Sequence, residues 1–394
     1  MNISKQISEA IESSSWIRKM FEEGARRTKE FGSDCVFDFS IGNPEFEPPV
    51  EVTENLIKLL QSDEPGTHRY MPNAGFPSTR GYIADQYSKE TGLPFTLHDI
   101  IMTSGAGGAL NVILKTIINP GDEVITFAPY FVEYKAYTEN YGGRLIVVPT
   151  KDDFSIDFKA LESAISSQTK AVLINSPNNP TGVVYDEGEL KQLGDILQRK
   201  SQELASPVTL ISDEPYKKIS YDGPVPSPFK YYDNSIIATS HSKDLAIPGE
   251  RIGHVAISPS HEGRLDLSRG VVIALRILGF VNAPALMQRL IPLVDGVQID
   301  VEIYRKNRDL LYEHLIKIGF SCVKPKGAFY LFPRSPIEDD LEFVRIAQES
   351  NLLLVPGSAF GASGFFRIAY CVAHETIKRS LPLFTQLAKK YQLS

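Results

Sequence analysis

A chain of 394 residues exceeds the size at which one hydrophobic core keeps growing, so a large domain with a smaller companion is expected. Its 42% hydrophobic and 23% charged residues exclude disordered and collagen-like classes. A formal net charge of −7, with no lysine or arginine cluster interleaved with aromatics, leaves no basic footprint for nucleic acid and makes a small molecule the expected partner.

In chain order, residues 1–20 carry Lys5, Glu9, Glu12, Arg18 and Lys19 in place of an apolar signal core. Residues 13–29 set Trp16, Ile17, Met20 and Phe21 at helical spacing, a face for the second domain or for a partner subunit. From about residue 100, short β-branched runs alternate with amphipathic ones. Residues 100–103 read as a strand, 107–118 as a helix after a glycine-rich turn, and Asn119-Pro120-Gly121-Asp122 as its stop. A strand over 123–127, a helix over 131–140 and a strand over 145–148 follow. Compact strands are expected at 170–175, 208–212, 235–239 and 254–258. This alternation predicts an α/β, doubly wound, mostly parallel sheet covered on both faces. The apolar run from 270 to 287 is broken by Arg276 and Asn282, so no membrane span is expected. Beyond Pro284 a long helix over roughly 297–318, then short strands near 329–332, 352–355 and 365–369, predict a smaller α+β domain. The cysteines Cys35, Cys322 and Cys371 fit neither a disulfide framework nor a metal site and point to a reducing cytoplasm. The 7 histidines lack metal-ligand spacing, so no metal is expected.

The most informative stretch follows the strand at 235–239. Ser240-His241-Ser242-Lys243 is succeeded, five residues on, by Gly249-Glu250-Arg251-Ile252-Gly253. A lone lysine after a strand is most often a solvated surface residue. Beside two hydroxyls and an arginine it acquires another reading. A lysine whose pKa is lowered by burial and nearby cations suits Schiff-base chemistry, and an arginine's planar fork suits a phosphate.

This pattern, S-x-S-K then G-x-R-x-G, resembles the class I/II aminotransferases, within the fold-type I pyridoxal-phosphate enzymes. The resemblance implies that Lys243 holds pyridoxal 5′-phosphate as a Schiff base and shuttles the substrate's proton, with Ser240 and Arg251 on the phosphate. Five further motifs stand in the family's order. Ser104-Gly105-Ala106-Gly107-Gly108 implies a phosphate cradle of Gly105, Ala106 and Gly107. Pro129-Tyr130-Phe131 implies Phe131 as the aromatic stacked on the cofactor ring. Asn175-Ser176-Pro177-Asn178-Asn179-Pro180-Thr181-Gly182 resembles the family's N-P-x-N-P-T-G and puts Asn179 at the ring's 3′-oxygen and the substrate carboxylate. Asp213-Glu214-Pro215-Tyr216 implies Asp213 at the ring nitrogen and Tyr216 at the 3′-oxygen. Phe366-Arg367-Ile368-Ala369 implies Arg367 as the clamp for the α-carboxylate. Taken singly, such features are more often a tight turn, core aromatics, a helix cap or a surface arginine.

Ile41-Gly42-Asn43-Pro44 also matches, with Gly42 lining the substrate site, and Arg69-Tyr70-Met71-Pro72-Asn73-Ala74-Gly75 resembles the segment whose tyrosine reaches the cofactor phosphate of the neighbouring subunit. The resemblance therefore implies a cytoplasmic homodimer with shared sites and a seven-stranded sheet. It implies a large domain over 45–285 and a small one from 1–44 with 286–394. Amino acids and 2-oxo acids would be its substrates, in a ping-pong reaction. A carbon–sulfur β-lyase on the same scaffold is the alternative, and a cofactor-binding regulator, which the acidic balance disfavours, is the non-enzyme one. Gly107 stands where dicarboxylate-specific relatives often carry a lysine, which argues against aspartate unless Arg69 or Arg80 replaces it.

Overall fold

The computed structural model describes residues 3, 4, 7, 8, 11, 16–62 and 65–393. After the helix Trp16–Phe31 comes a two-residue strand, β1 (Phe37–Asp38). Seven strands then build one sheet: β2 (Ile100–Thr103), β3 (Glu123–Ala128), β4 (Arg144–Pro149), β5 (Thr169–Asn175), β6 (Thr209–Asp213), β7 (Ser235–Ser240) and β8 (Gly253–Ile257). Their spatial order is β2-β8-β7-β6-β5-β3-β4. From β4 across to β7 every pairing is parallel, whereas β8 runs antiparallel to both β7 and β2. The departure has a local cause: residues 241–252 contain no crossover helix, so the chain doubles back beside β7.

Side-chain alternation assigns the two faces. On β5, Ala171 and Leu173 join the cluster under the helices Gly105–Ile117 and Arg264–Ile277, while Val172 and Ile174 join the cluster under the helix Glu187–Glu203. On β8, Val255 and Ile257 face the first of these clusters, and Ala256 faces Ile83, Ala84 and Tyr87 of the helix Pro77–Thr91. With both faces covered, the central residues of these strands are apolar on both sides. Each fully buried leucine or isoleucine contributes about 1.5–3 kcal/mol, and Ile113, Leu173, Leu193 and Ile237 are all completely buried.

The remaining strands are short: β9 (Tyr330–Leu331), β10 (Leu352–Leu353), β11 (Val355–Pro356) and β12 (Phe366–Ala369). β11, β12 and β9 form an antiparallel sheet, and β1 pairs in parallel with β10. Tyr304, Leu311 and Leu315 of the helix Val301–Lys317 pack with Phe343, Phe366 and Phe384 over this sheet. The long helix starts at 301, later than its periodicity suggests, because Asp300 caps it by accepting from Glu302 N–H at 3.0 Å. The expected packing of Trp16, Ile17, Met20 and Phe21 concerns side chains outside the described residues, as do residues 13–15. Further along that helix, Gly24 abuts Asp38 and Leu353, and Arg27 Nη1 donates to Asn351 Oδ1 at 2.8 Å. Among the described residues no helix is long and apolar enough to cross a membrane.

Candidate active site

Open α/β sheets leave a crevice at the carboxyl ends of their strands. Thr103, Ala128, Asn175, Asp213 and Ser240 end β2, β3, β5, β6 and β7 on that side. A cavity of about 300 Å³ lies there, and it gathers Gly42, Ala106, Gly107, Phe131, Asn179, Asp213, Tyr216, Ser240, Lys243, Arg251 and Arg367, residues spread over most of the chain. A larger cavity of about 520 Å³ shares only Pro215 and Ser240 with it and is lined by none of the other candidate residues, so size does not pick out the site.

At one end of the smaller cavity the helix Gly105–Ile117 begins. Gly105 has φ +71°, and a Cβ there would lie 2.8 Å from Arg251 Nη2, so both the left-handed backbone and the guanidinium require glycine. Ala106 and Gly107 line the cavity in the helix's first turn, where backbone N–H groups have no intrahelical acceptor. Arg251, held by a bond from Nη1 to the Pro248 carbonyl at 3.1 Å, adds a cation. This is an anion-binding end.

Lys243 projects from the loop after β7, and its Nζ donates to the Gly42 carbonyl at 2.7 Å. Burial pushes its pKa down to about 8, and the charges of Arg251 and Arg367 push the same way against the nearby Cys371 thiol. The lowered pKa leaves far more of this amine neutral near neutral pH than an ordinary lysine would keep.

Asp213 is buried at the tip of β6. Its Oδ2 accepts from Tyr134 Oη at 2.6 Å, and its Oδ1, equally buried, has no partner. Burial pushes the carboxyl up to about 7; the Tyr134 bond opposes this and the charge of Glu214 adds to it. Nearby, Tyr216 Oη lies 2.8 Å from Tyr330 Oη.

Arg367 is 1% exposed. Its Nη1 donates to Asn179 Oδ1 at 3.0 Å, Nη2 donates to the Ser40 carbonyl, and Nε is buried without a partner. The guanidinium lies between the rings of Tyr330 and Phe360, 4.7 and 4.9 Å from their centroids. It makes no ion pair among the described residues.

Three sequence candidates lie apart from this cavity. Tyr70 is 88% exposed, and neither it nor Arg69 lines the cavity of its own chain. Arg80 is removed as a candidate for a distal carboxylate: it is buried, with Nε and Nη2 bonded to the carbonyls of Ile100 and Leu97. Conversely, the motifs did not single out Tyr134, Tyr137 or Tyr330. Tyr134 stands three residues after Phe131, one helical step, and that spacing was the signal available.

A partly neutral lysine, a buried unpaired guanidinium and an anion-binding helix start define an enzyme that uses an amine nucleophile on a phosphate-bearing cofactor. The profile of the aminotransferase class I and II family matches residues 34–381. A probable aspartate aminotransferase of Methanocaldococcus jannaschii is 34% identical over 363 residues, covering 90% of this chain and 94% of that one. An aminotransferase from Eubacterium rectale superposes with a TM-score of 0.96 at 41% identity, over 99% of each chain. The aspartate aminotransferase of Thermus thermophilus, solved with maleate, gives 0.87 at 28% identity over 98% of this chain and 100% of that one. The chain belongs to the class I and II aminotransferases: it is a pyridoxal-phosphate-dependent enzyme moving an amino group between an amino acid and a 2-oxo acid. Nothing in these likenesses favours the lyase or the regulator.

The residues present fit pyridoxal phosphate. Asp213 Oδ1 is buried without a donor, and a protonated ring nitrogen would supply one. The Gly105 turn with Arg251 offers donors to a phosphate, and Phe131 lines the same cavity.

Proposed function

We propose that Lys243 is the amine that holds the cofactor and the acid–base group that moves the substrate's α-proton. When bound, pyridoxal phosphate supplies an aldehyde carbon for that amine and a protonated ring that draws electrons from the substrate's α-carbon. Gly105, Ala106, Gly107, Ser240 and Arg251 hold its phosphate, Phe131 its ring face, Asp213 its ring nitrogen, and Asn179 with Tyr216 its ring oxygen. Arg367 takes the α-carboxylate against Gly42.

The observation that carries this reading is Arg367. Burying a cation without an anion is costly, and this one keeps an unpartnered N–H beside the reactive amine. A carboxylate entering the cavity makes the missing pair. Arg367→Ala is expected to lower kcat/KM for every amino donor roughly 10²- to 10³-fold, as loss of a buried charge partner does, with the visible spectrum of the loaded enzyme intact. Unaltered kcat/KM across a donor panel, with 2-oxoglutarate and pyruvate as acceptors, removes Arg367 from the site. Among the described residues the cations lining the cavity are Lys243, Arg251 and Arg367, each already engaged in this reading, so none of these three is left for a second substrate carboxylate.

The reading extends to a cytoplasmic homodimer with Tyr70 serving the partner's cofactor. Support comes from the exposure of Tyr70, from exposed Val50, Ile57 and Leu60 on the helix Val50–Gln61, and from exposed Ile273 and Ile277 on the helix Arg264–Ile277. The free cysteines fit a reducing compartment. Residues 45–285 would form the large domain, and 1–44 with 286–394 the small one, tied by the β1–β10 pairing. Complementation tests the shared site. In a heterodimer of Lys243→Ala and Tyr70→Ala chains, one site carries both lesions and the other neither, so random reassortment of equal amounts restores about a quarter of all sites. Verified exchange without activity above the average of the separate preparations sets Tyr70 aside as a trans residue.

A further inference from the structure

Tyr330, on β9, lies outside the motifs yet touches three parts of the cavity. Its hydroxyl is 2.8 Å from that of Tyr216, and the two rings meet edge to face at 5.6 Å. Its ring backs the Arg367 guanidinium at 4.7 Å, in register with β12, which carries that arginine. Its hydroxyl also fills the space over Gly42, where a Cβ would lie 1.9 Å from Oη. With 2% of its surface exposed, it has no room to swing elsewhere.

Either hydroxyl can donate in this contact, and proton counting says which direction would serve the bound cofactor. A phenol has one proton to donate. If Tyr216 spends that proton on Tyr330, none remains for the cofactor's ring oxygen. The pair serves the site only when Tyr330 donates and Tyr216 accepts, which leaves the Tyr216 proton free to point inward. A hydroxyl that accepts one bond donates the next more strongly.

Resting on the site roles proposed above, we propose that Tyr330 is a positioning residue that couples the two halves of the cavity: its hydroxyl orients Tyr216 toward the cofactor's ring oxygen, and its ring fixes the plane of the carboxylate clamp. Both duties fall on one side chain, so they can be separated by substitution. Tyr330→Phe keeps the stack and removes the bond. Tyr330→Leu removes both.

The readout needs no turnover. The visible absorbance of the loaded enzyme is titrated with pH, and its change on adding 2-aminoisobutyrate, which has a carboxylate but no α-hydrogen, gives that ligand's Kd. The titration is read against the charged and titratable groups around Tyr330: Arg367, Cys371, Tyr216 and Tyr304. A bond to the ring oxygen favours its ionised form, so weakening it raises the pH midpoint. In Tyr330→Phe the midpoint is expected to rise by about half a unit to one unit, less than in Tyr216→Phe, with the Kd within about twofold of wild type. In Tyr330→Leu the Kd is expected to rise about thirtyfold as well, the scale of a desolvated cation–π contact. A midpoint unmoved in Tyr330→Phe while Tyr216→Phe shifts it overturns the proposal, and the phenylalanine variant decides this even if Tyr330→Leu does not fold. A wild-type protein with no visible band on loading overturns the cofactor-site reading and this inference together, a result distinct from a band whose midpoint stays put.

Discussion

Lys243→Ala is expected to lower kcat at least about 10⁴-fold, the upper end of what a positioned acid–base group contributes, because the same change also removes the nucleophile. Wild-type protein should be yellow when loaded, and the variant should lose the absorbance that depends on the lysine. Loading should itself report the amine. Its rate in wild type should climb as pH passes through about 8, since burial lowers this lysine and only the neutral form attacks a carbonyl. A midpoint near 10, or full activity in the alanine variant, would remove Lys243 from the chemistry.

The second large effect concerns Asp213. Its buried oxygen is unpartnered, and in the proposed site a carboxylate there would stabilise positive charge on the cofactor ring. Asp213→Ala is expected to cut kcat about 10²- to 10³-fold, the range for loss of one preorganised electrostatic partner, with cofactor affinity changed far less. Steady-state rates at saturating cofactor, beside a spectral titration of cofactor affinity, separate the two. Unchanged turnover with cofactor bound would refute the role. Because Tyr134 donates to the other oxygen of this carboxylate, removing Asp213 also leaves a buried phenol without its acceptor, so the variant's thermal stability must be measured in parallel.

Much of the fold could be read from local signals. The buried strands are runs of β-branched residues between turn formers, and their ends fell within a residue or two of expectation because both faces demand apolar side chains. The antiparallel turn of β8 was not legible, since strand direction depends on what the connection does in space. The same division applies to the cavity. Its lining could be proposed from motifs because backbone turns and charge-bearing residues leave a spelling at fixed spacing. Contacts between distant positions leave none. Tyr134 meets Asp213 across 79 residues and Tyr330 meets Tyr216 across 114, so neither tyrosine announced itself. Arg80 shows the converse failure: an arginine reads as available in the sequence, and its burial against two carbonyls is invisible until the chain is folded.

The pairing of β1 with β10 sets a schedule for synthesis. Phe37 and Asp38 find their partners in Leu352 and Leu353, and the Gly42 carbonyl that receives Lys243 lies just beyond β1. At ribosomal speeds of 5–20 residues per second, roughly 15 to 60 seconds separate the emergence of these strands. For that interval the central sheet can assemble without this pairing, and β1 waits as an unpaired strand edge. The segment from residue 352 onward, which carries Arg367, therefore completes the cavity, and a translational stall before residue 352 would leave the cavity without that guanidinium.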